Sequence, residues 1–399
     1  MRLPVLLIAT GWLASLLPVS AEPPRPIPAP AAPGAMGSSL TQGSDGTAFL
    51  SWLEPAGPDA WALKFSRFDT AHQAWGEART IAQGADFFVN WADFPVLAVQ
   101  AGRLTAVWFV NNPAHHAAGG HHGTGYHAVY RTSADGGATW NPGLPVSTES
   151  AAVEFVALQP LRDGRLLAAW LDGRMPGRSA LYARVLGPPG ADVLVDGSVC
   201  DCCQLSFAPA TDGGALLAYR GRTADEIRDM QLARFHGAGW KRAGPLHADG
   251  WKIAGCPVNG PQLAEYGDLI GAVWFTAANN EARVLARVSA NAGAGFGPVV
   301  RIDLGRPQGR VDSVMLPDGT FVMCWLEMSA PAAGRPGGIY LRKLSRAGRL
   351  AEPQLVAPGG TSRMSGFPRM VLLDGQRLLL TCTQEGEPSL VRTFLVDLK

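Results

Sequence analysis

The sequence predicts an all-β protein, a β-propeller of four-stranded antiparallel blades. It implies about seven blades, with six as the alternative if the first and last units merge. Three observations carry this. A two-residue turn containing Gly recurs at Asp45-Gly46, Ala101-Gly102, Asp163-Gly164, Asp212-Gly213, Gly267-Asp268, Asp318-Gly319 and Asp374-Gly375. Each turn separates two apolar runs, and the second run ends near an aromatic residue: Trp52, Trp108, Trp170, Tyr219, Trp274 and Trp325, with the seventh copy, RLLLT, lacking its own. Successive turns lie 56, 62, 49, 55, 51 and 56 residues apart, which is room for four short strands and longer loops. Gly accepts positive φ, so such turns between alternating apolar runs read as hairpins. A lone hairpin is barely stable, and closing a ring buries the faces and protects the edges.

Residues 1–21 read as a secretory signal: Arg2 supplies the positive start, Leu3 to Leu17 the apolar stretch, and Val19-Ser20-Ala21 the small-residue cleavage site. Residues 22–37, EPPRPIPAPAAPGAMG, are Pro- and Ala-rich and read as an extended linker. Residues 38–399 form the single propeller domain. Its last unit ends soon after a third strand, so an N-terminal segment is expected to complete that blade. Export implies a secreted or periplasmic protein. No later stretch reaches the ~18 apolar residues of a spanning helix, so no transmembrane segment is expected after cleavage. A formal net charge of +1 offers no basic stripe for nucleic acid. The expected partner is a small-molecule or glycan ligand, bound by a monomer without a cofactor.

The segment SADGGATW places Ser133, Asp135, Gly137 and Trp140 in the pattern S-x-D-x-G-x-x-W. A degenerate copy, SANAGAGF, starts at Ser289 at the same place in its own unit. The chain therefore resembles the sialidase-like propellers that carry this Asp-box, a structural turn in which the carboxylate accepts local backbone N–H groups. The resemblance extends upstream. Sialidases carry an Arg-Ile-Pro motif one blade before an Asp-box, and here the segment is Asp93-Phe94-Pro95. In that family the Arg is one of three that clamp the sialic acid carboxylate. Asp93 at its position would repel that anion, so ordinary sialoside cleavage is expected to be weak or absent. The family's Tyr nucleophile and Glu partner have no clear counterpart; Tyr340 is suitably late in the chain but falls within an apparent strand, IYLRK. If the chain is an enzyme, the resemblance implies a glycoside hydrolase of the sialidase type; the alternative is a non-catalytic binding or interaction propeller.

Strand direction puts the loops that lead into each unit on one face with the loops between second and third strands. These are the long loops, where sites usually sit. Eight residues before each turn the inner strand begins, and in the last six units this ruler selects Asp93, Phe155, Gln204, Asn259, Arg310 and Gly366. Asp172 and Arg174, then Arg220, Glu226, Arg228 and Asp229, then Asp312 and Arg363 should gather on the same face. Asp93, Glu226, Asp229 and Asp312 could supply an acid and a base. Asn259, Arg310, Arg220, Arg228, Arg363, Asp172 and Arg174 could bind substrate, with Arg310 the main anchor. The alternative for all of them is a network of solvated salt bridges.

The loops CDCC and GCPVNGP lead into adjacent units and should meet on that face. A disulfide from Cys202 or Cys203 to Cys256 is expected in an oxidising compartment, and Cys203–Cys256 is the pair chosen. The alternative is a metal site using Cys with Asp201, although the spacing lacks a second Cys pair. Cys324 and Cys382 fall within second strands and read as buried thiols. The loop with His115, His116, His121, His122 and His127 could hold zinc or copper, but its Gly and Ala neighbours offer nothing to orient the rings.

Overall fold

The computed structural model describes residues 22–111, 126–149, 152–187, 190–237, 239–362 and 365–398. Seven antiparallel sheets succeed one another along the chain. Blade 1 comprises Met36–Gln42, Ala48–Gly57, Ala60–Asp69 and Arg79–Gly84, with the short Ala74–Trp75 also on its third strand. Blade 2 comprises Val96–Gln100, Arg103–Asn111, Tyr126–Ser133 and Leu144–Pro145. Blade 3 comprises Val153–Pro160, Leu166–Asp172, Ser179–Val185 and Val193–Val199. Blade 4 comprises Ser206–Pro209, Ala215–Arg220, Met230–His236 and Gly239–Pro245. Blade 5 comprises Gln262–Tyr266, Leu269–Thr276, Arg283–Ser289 and Val300–Arg301. Blade 6 comprises Pro307–Met315, Phe321–Glu327, Gly338–Leu344 and Gln354–Pro358. Blade 7 comprises Arg369–Leu372, Arg377–Gln384 and Leu390–Asp397. Neighbouring inner strands pack against each other around the ring, and that of blade 7 packs against that of blade 1. Among the described residues there is no α-helix, and no helix long and apolar enough to cross a membrane.

The fourth strand of blade 7 is Arg25–Ile27, which pairs with Leu390–Asp397 in the register Arg25↔Leu395 to Ile27↔Thr393. The segment read as a linker is thus docked over much of its length. Ile27 and Ala35 are buried, Thr393 Oγ1 donates to the Ile27 carbonyl at 2.7 Å, and the Gly34 N–H donates to the Ser389 carbonyl at 2.8 Å. A Pro-rich strand suits this outer position, because an edge strand leaves one row of N–H groups unneeded.

The second strands hold the packing between blades. Trp52, Trp170, Trp274 and Trp325 are among the largest fully buried side chains. A buried indole N–H needs an acceptor, and carboxylates supply it: Trp52 to Glu54 at 2.7 Å, Trp170 to Asp172 at 2.8 Å, Trp325 to Glu327 at 2.6 Å and Trp274 to Asp249 at 2.8 Å. Tyr219 donates likewise to Asp196 at 2.8 Å.

The inner strands begin with a backbone irregularity. The register slips between Met36 and Ser39, between Glu154 and Ala157, and between Gly309 and Asp312. Gly37, Phe155, Arg310 and Gly366, one position in four blades, take positive φ of 62°, 50°, 54° and 69°. This places a bulge at the channel mouth in blades 1, 3 and 6, and the positive φ costs non-glycine residues about 1–3 kcal/mol.

Candidate functional site

The inner strands enclose a cavity of about 230 Å³ whose lining includes Asp93, Phe155, Gln204, Asp312 and Arg369. Asp93 is buried at the start of blade 2. Its Oδ2 accepts the Tyr126 hydroxyl and the Phe155 N–H, both at 3.0 Å. Burial drives its carboxyl well above the usual carboxylate range, with the nearby Glu154 charge adding to the effect. Tyr126, itself buried beside both acids, is pushed up for the same reasons. Asp312 accepts the Met370 N–H at 2.6 Å and lies 3.9 Å from the Arg369 guanidinium. Burial pushes its carboxyl up to about 6, although Arg369 pulls the other way. Gln204 ties the ring of loops together, donating to the Ala92 carbonyl and accepting from the Gly260 N–H.

Arg310 does not project into solvent. It is 6 % exposed, donates to the Gly366 carbonyl at 3.0 Å, and lies over the rings of Trp91 at 4.9 Å and Phe367 at 5.5 Å. Arg369 lies over Phe94 at 4.9 Å. The channel mouth is therefore capped by an aromatic and guanidinium layer, of which Trp91 remains partly exposed.

Beside this cap, Arg220 acts as a brace. It is 1 % exposed, and its guanidinium donates to the carbonyls of Asn259, Arg228 and Phe275 while lying over Trp251. Asn259 accepts the Arg310 N–H at 2.6 Å through Oδ1 and donates to the carbonyls of Pro257 and Gln308. Asp229 accepts the N–H groups of Gly250 and Trp251. Glu226 pairs with Arg222 and Arg228, which hold its carboxyl below its ordinary value. Arg228 also reaches Cys200 Sγ at 3.2 Å and Asp201 at 3.4 Å.

Other expected site residues lie apart. Asp172 accepts from Trp170 and from Arg174, and Arg174 also pairs with Asp192 and lies 4.0 Å from the Tyr182 ring centre. Tyr340 is buried, stacks on Trp325 and donates to the Pro336 carbonyl. At the opposite end of the molecule, Ser133 Oγ accepts the Gly137 N–H at 2.8 Å, Asp135 accepts the Thr139 N–H at 2.9 Å, and Trp140 meets the Phe65 ring edge-on. Ser289 and Asn291 repeat the arrangement with Gly293 and Gly295. Arg363, His115, His116, His121 and His122 lie outside the described residues.

The disulfide expected between Cys203 and Cys256 is not formed in the structure. Cys203 faces Cys200, with the sulfurs 3.7 Å apart, and accepts the Asn259 N–H at 3.4 Å. Cys256 instead groups with Cys202 and Asp201.

The ruler therefore brings Asp93, Phe155 and Gln204 to one cavity, where Asp312 joins them, and leaves Asn259 and Arg310 in the surrounding scaffold. Sequence reasoning passed over Tyr126, Glu154, Arg369 and Trp91. Arg369 and Phe367 had a signal: Gly366-Phe367-Pro368 repeats the Asp93-Phe94-Pro95 step of blade 2.

No family model and no curated protein matches the chain. Solved structures share its fold. A lectin from Burkholderia pseudomallei aligns at a TM-score of 0.61 and 10% identity, over 92% of this chain and 97% of its own. An ulvan lyase of a polysaccharide lyase family aligns at 0.59 and 9%, over 94% and 96%. A protein of unknown function from Dyadobacter fermentans aligns at 0.54 and 13%, over 95% and 99%.

Proposed function

We propose that the protein is an exported propeller that binds a polar glycan on its channel-mouth face without hydrolysing sialosides. The observation that carries this reading is the state of two of the arginines expected to bind substrate. Arg220 and Arg310 are buried and direct their guanidinium groups at backbone carbonyls and aromatic rings. Asp93, where the sialidase motif has Arg, adds no cation. Trp91 offers instead a partly exposed indole on a rigid base, of the kind against which the apolar face of a sugar ring packs. Likeness in fold to a lectin and to a polysaccharide lyase is in keeping with a carbohydrate ligand, as is the signal-like start of the chain.

Incubation with fluorogenic α-sialosides tests the non-hydrolytic part. No release above the buffer rate is expected between pH 4 and 8. Rapid release would overturn the reading and mean that a carboxylate clamp is built from other arginines. A second reading, acid-base chemistry on a polysaccharide, is favoured by Asp312, whose carboxyl sits near 6, within reach of general catalysis at ordinary pH. It requires turnover of some polysaccharide that Asp312→Asn abolishes while binding persists.

A further inference from the structure

The loops leading into blades 4 and 5 assemble four thiols from two chain segments. The sulfurs of Cys200, Cys202 and Cys203 lie within 4.8 Å of one another, at 3.8 Å for Cys200–Cys202 and 3.7 Å for Cys200–Cys203. Cys202, Cys256 and an Asp201 oxygen form a second group within the same limit. Cys202 belongs to both, Cys256 does not lie within that limit of the whole first group, and a four-sulfur site therefore needs Cys256 to close on it when metal binds. With metal–sulfur bonds of about 2.3 Å, a tetrahedral thiolate site has sulfur–sulfur edges of about 3.8 Å. The Cys200–Cys202 and Cys200–Cys203 separations match that edge.

Hydrogen-bond donors face two of the sulfurs. Arg228 directs an N–H at Cys200 Sγ and the Asn259 N–H points at Cys203 Sγ. Arg220 adds a second positive charge acting on Cys200 and Cys203. Four thiolates around a divalent ion carry a charge of −2, which the two guanidinium groups offset. Cys324 and Cys382, buried within strands, belong to no such group among the described residues. The loops are also held in place. A Cβ on Gly260 would meet the Gln204 carbonyl oxygen at 2.1 Å, so glycine alone permits this approach. Val199, Leu205 and Val258 form an apolar shell around the sulfurs.

We propose that Cys200, Cys202, Cys203 and Cys256 form a binding site for one thiophilic d10 metal ion, zinc(II) or copper(I), with Arg228 as a positioning residue that donates to a ligand sulfur. Binding replaces the thiol protons, which leave to solvent, and no electron transfer is involved. The site stands on different residues from the proposed glycan surface and does not depend on it.

The test uses full-length protein purified reduced and without oxygen, then titrated separately with zinc(II), with copper(I) and, as a spectroscopic probe, with cobalt(II). One tightly held metal per chain is expected for zinc or copper, and the preferred ion identifies the resident class. Cobalt should give sulfur-to-metal charge-transfer absorption with the visible bands of a tetrahedral site. Metal binding should shield four thiols from alkylation, and a chelator should expose them. Cys200→Ser and Cys202→Ser should lose stoichiometric binding, Cys324→Ser should retain it, and Arg228→Gln should weaken it about 10- to 100-fold. Should the serine variants fold poorly, alkylation and cobalt spectra of the wild type still decide. Absence of stoichiometric metal in the reduced wild type, or binding that survives Cys200→Ser and Cys202→Ser, would overturn the proposal. So would a wild type whose four thiols alkylate equally with and without metal.

Discussion

Arg220 and Arg310 illustrate how little of a charged residue's surroundings its type reveals. Both looked like ligand-binding arginines on a loop face. In the folded chain Arg220 satisfies carbonyls of three segments, a task that only a guanidinium fork with its many donors performs. Arg220→Ala would orphan three buried carbonyls at about 1 kcal/mol or more each, and should cost at least about 3 kcal/mol in urea unfolding; a change below 1 kcal/mol would contradict the bracing role. Asp312 makes a prediction of pH dependence. Its carboxyl is raised from 3.8 to about 6 on folding, so the native state holds the proton more tightly. The stability linked to that proton is complete below pH 4, falls as pH rises toward 6 and is constant above, a change of about 3 kcal/mol. Asp312→Asn should remove this fall, so the variant should gain on the wild type between pH 4 and pH 7. An equal difference at both pH values would mean that Asp312 titrates normally. Asp312 and Asp93 were legible as polar residues at the mouth, but their burial was not, because the aromatic cap joins Trp91, two residues before Asp93, to Phe367 in a distant segment.

The strand patterns were the most legible feature, since each hairpin carries its own turn and its own apolar alternation. Asp172 shows what an internal comparison adds. Trp52-Leu53-Glu54, Trp170-Leu171-Asp172 and Trp325-Leu326-Glu327 repeat one Trp-Leu-acid step, and in each the acid accepts the indole N–H. A residue that recurs with the fold's own period belongs to the scaffold first. The N-terminal strand was half legible: the missing last strand demanded a partner, yet the Pro-rich composition of 22–37 resembled a free linker. Deleting residues 22–28 should remove the closing strand and the buried Ile27, worth about 1.5–3 kcal/mol for its side chain alone. A thermal unfolding midpoint unchanged by the deletion would show that blade 7 is stable with three strands.

Over the whole molecule, the repeat determined the ring and its two faces, because propeller geometry follows from local periodicity alone. The site was less legible, because what lines the mouth depends on which loop side chains fold inward across blades. The Cys203–Cys256 bond shows the same limit: loop adjacency was read correctly, but side-chain direction sends Cys203 to Cys200 and Cys256 to Cys202. The central claim is that the mouth face binds a glycan through a surface centred on Trp91. Its most direct test is binding of the wild type and Trp91→Ala to an array of neutral and anionic glycans, with circular dichroism confirming that both are folded. The account predicts saturable binding by the wild type that falls at least about tenfold in Trp91→Ala, the loss of one good contact of about 1.4 kcal/mol. Wild-type protein that binds no glycan on the array, or binding that Trp91→Ala leaves unchanged, would contradict it.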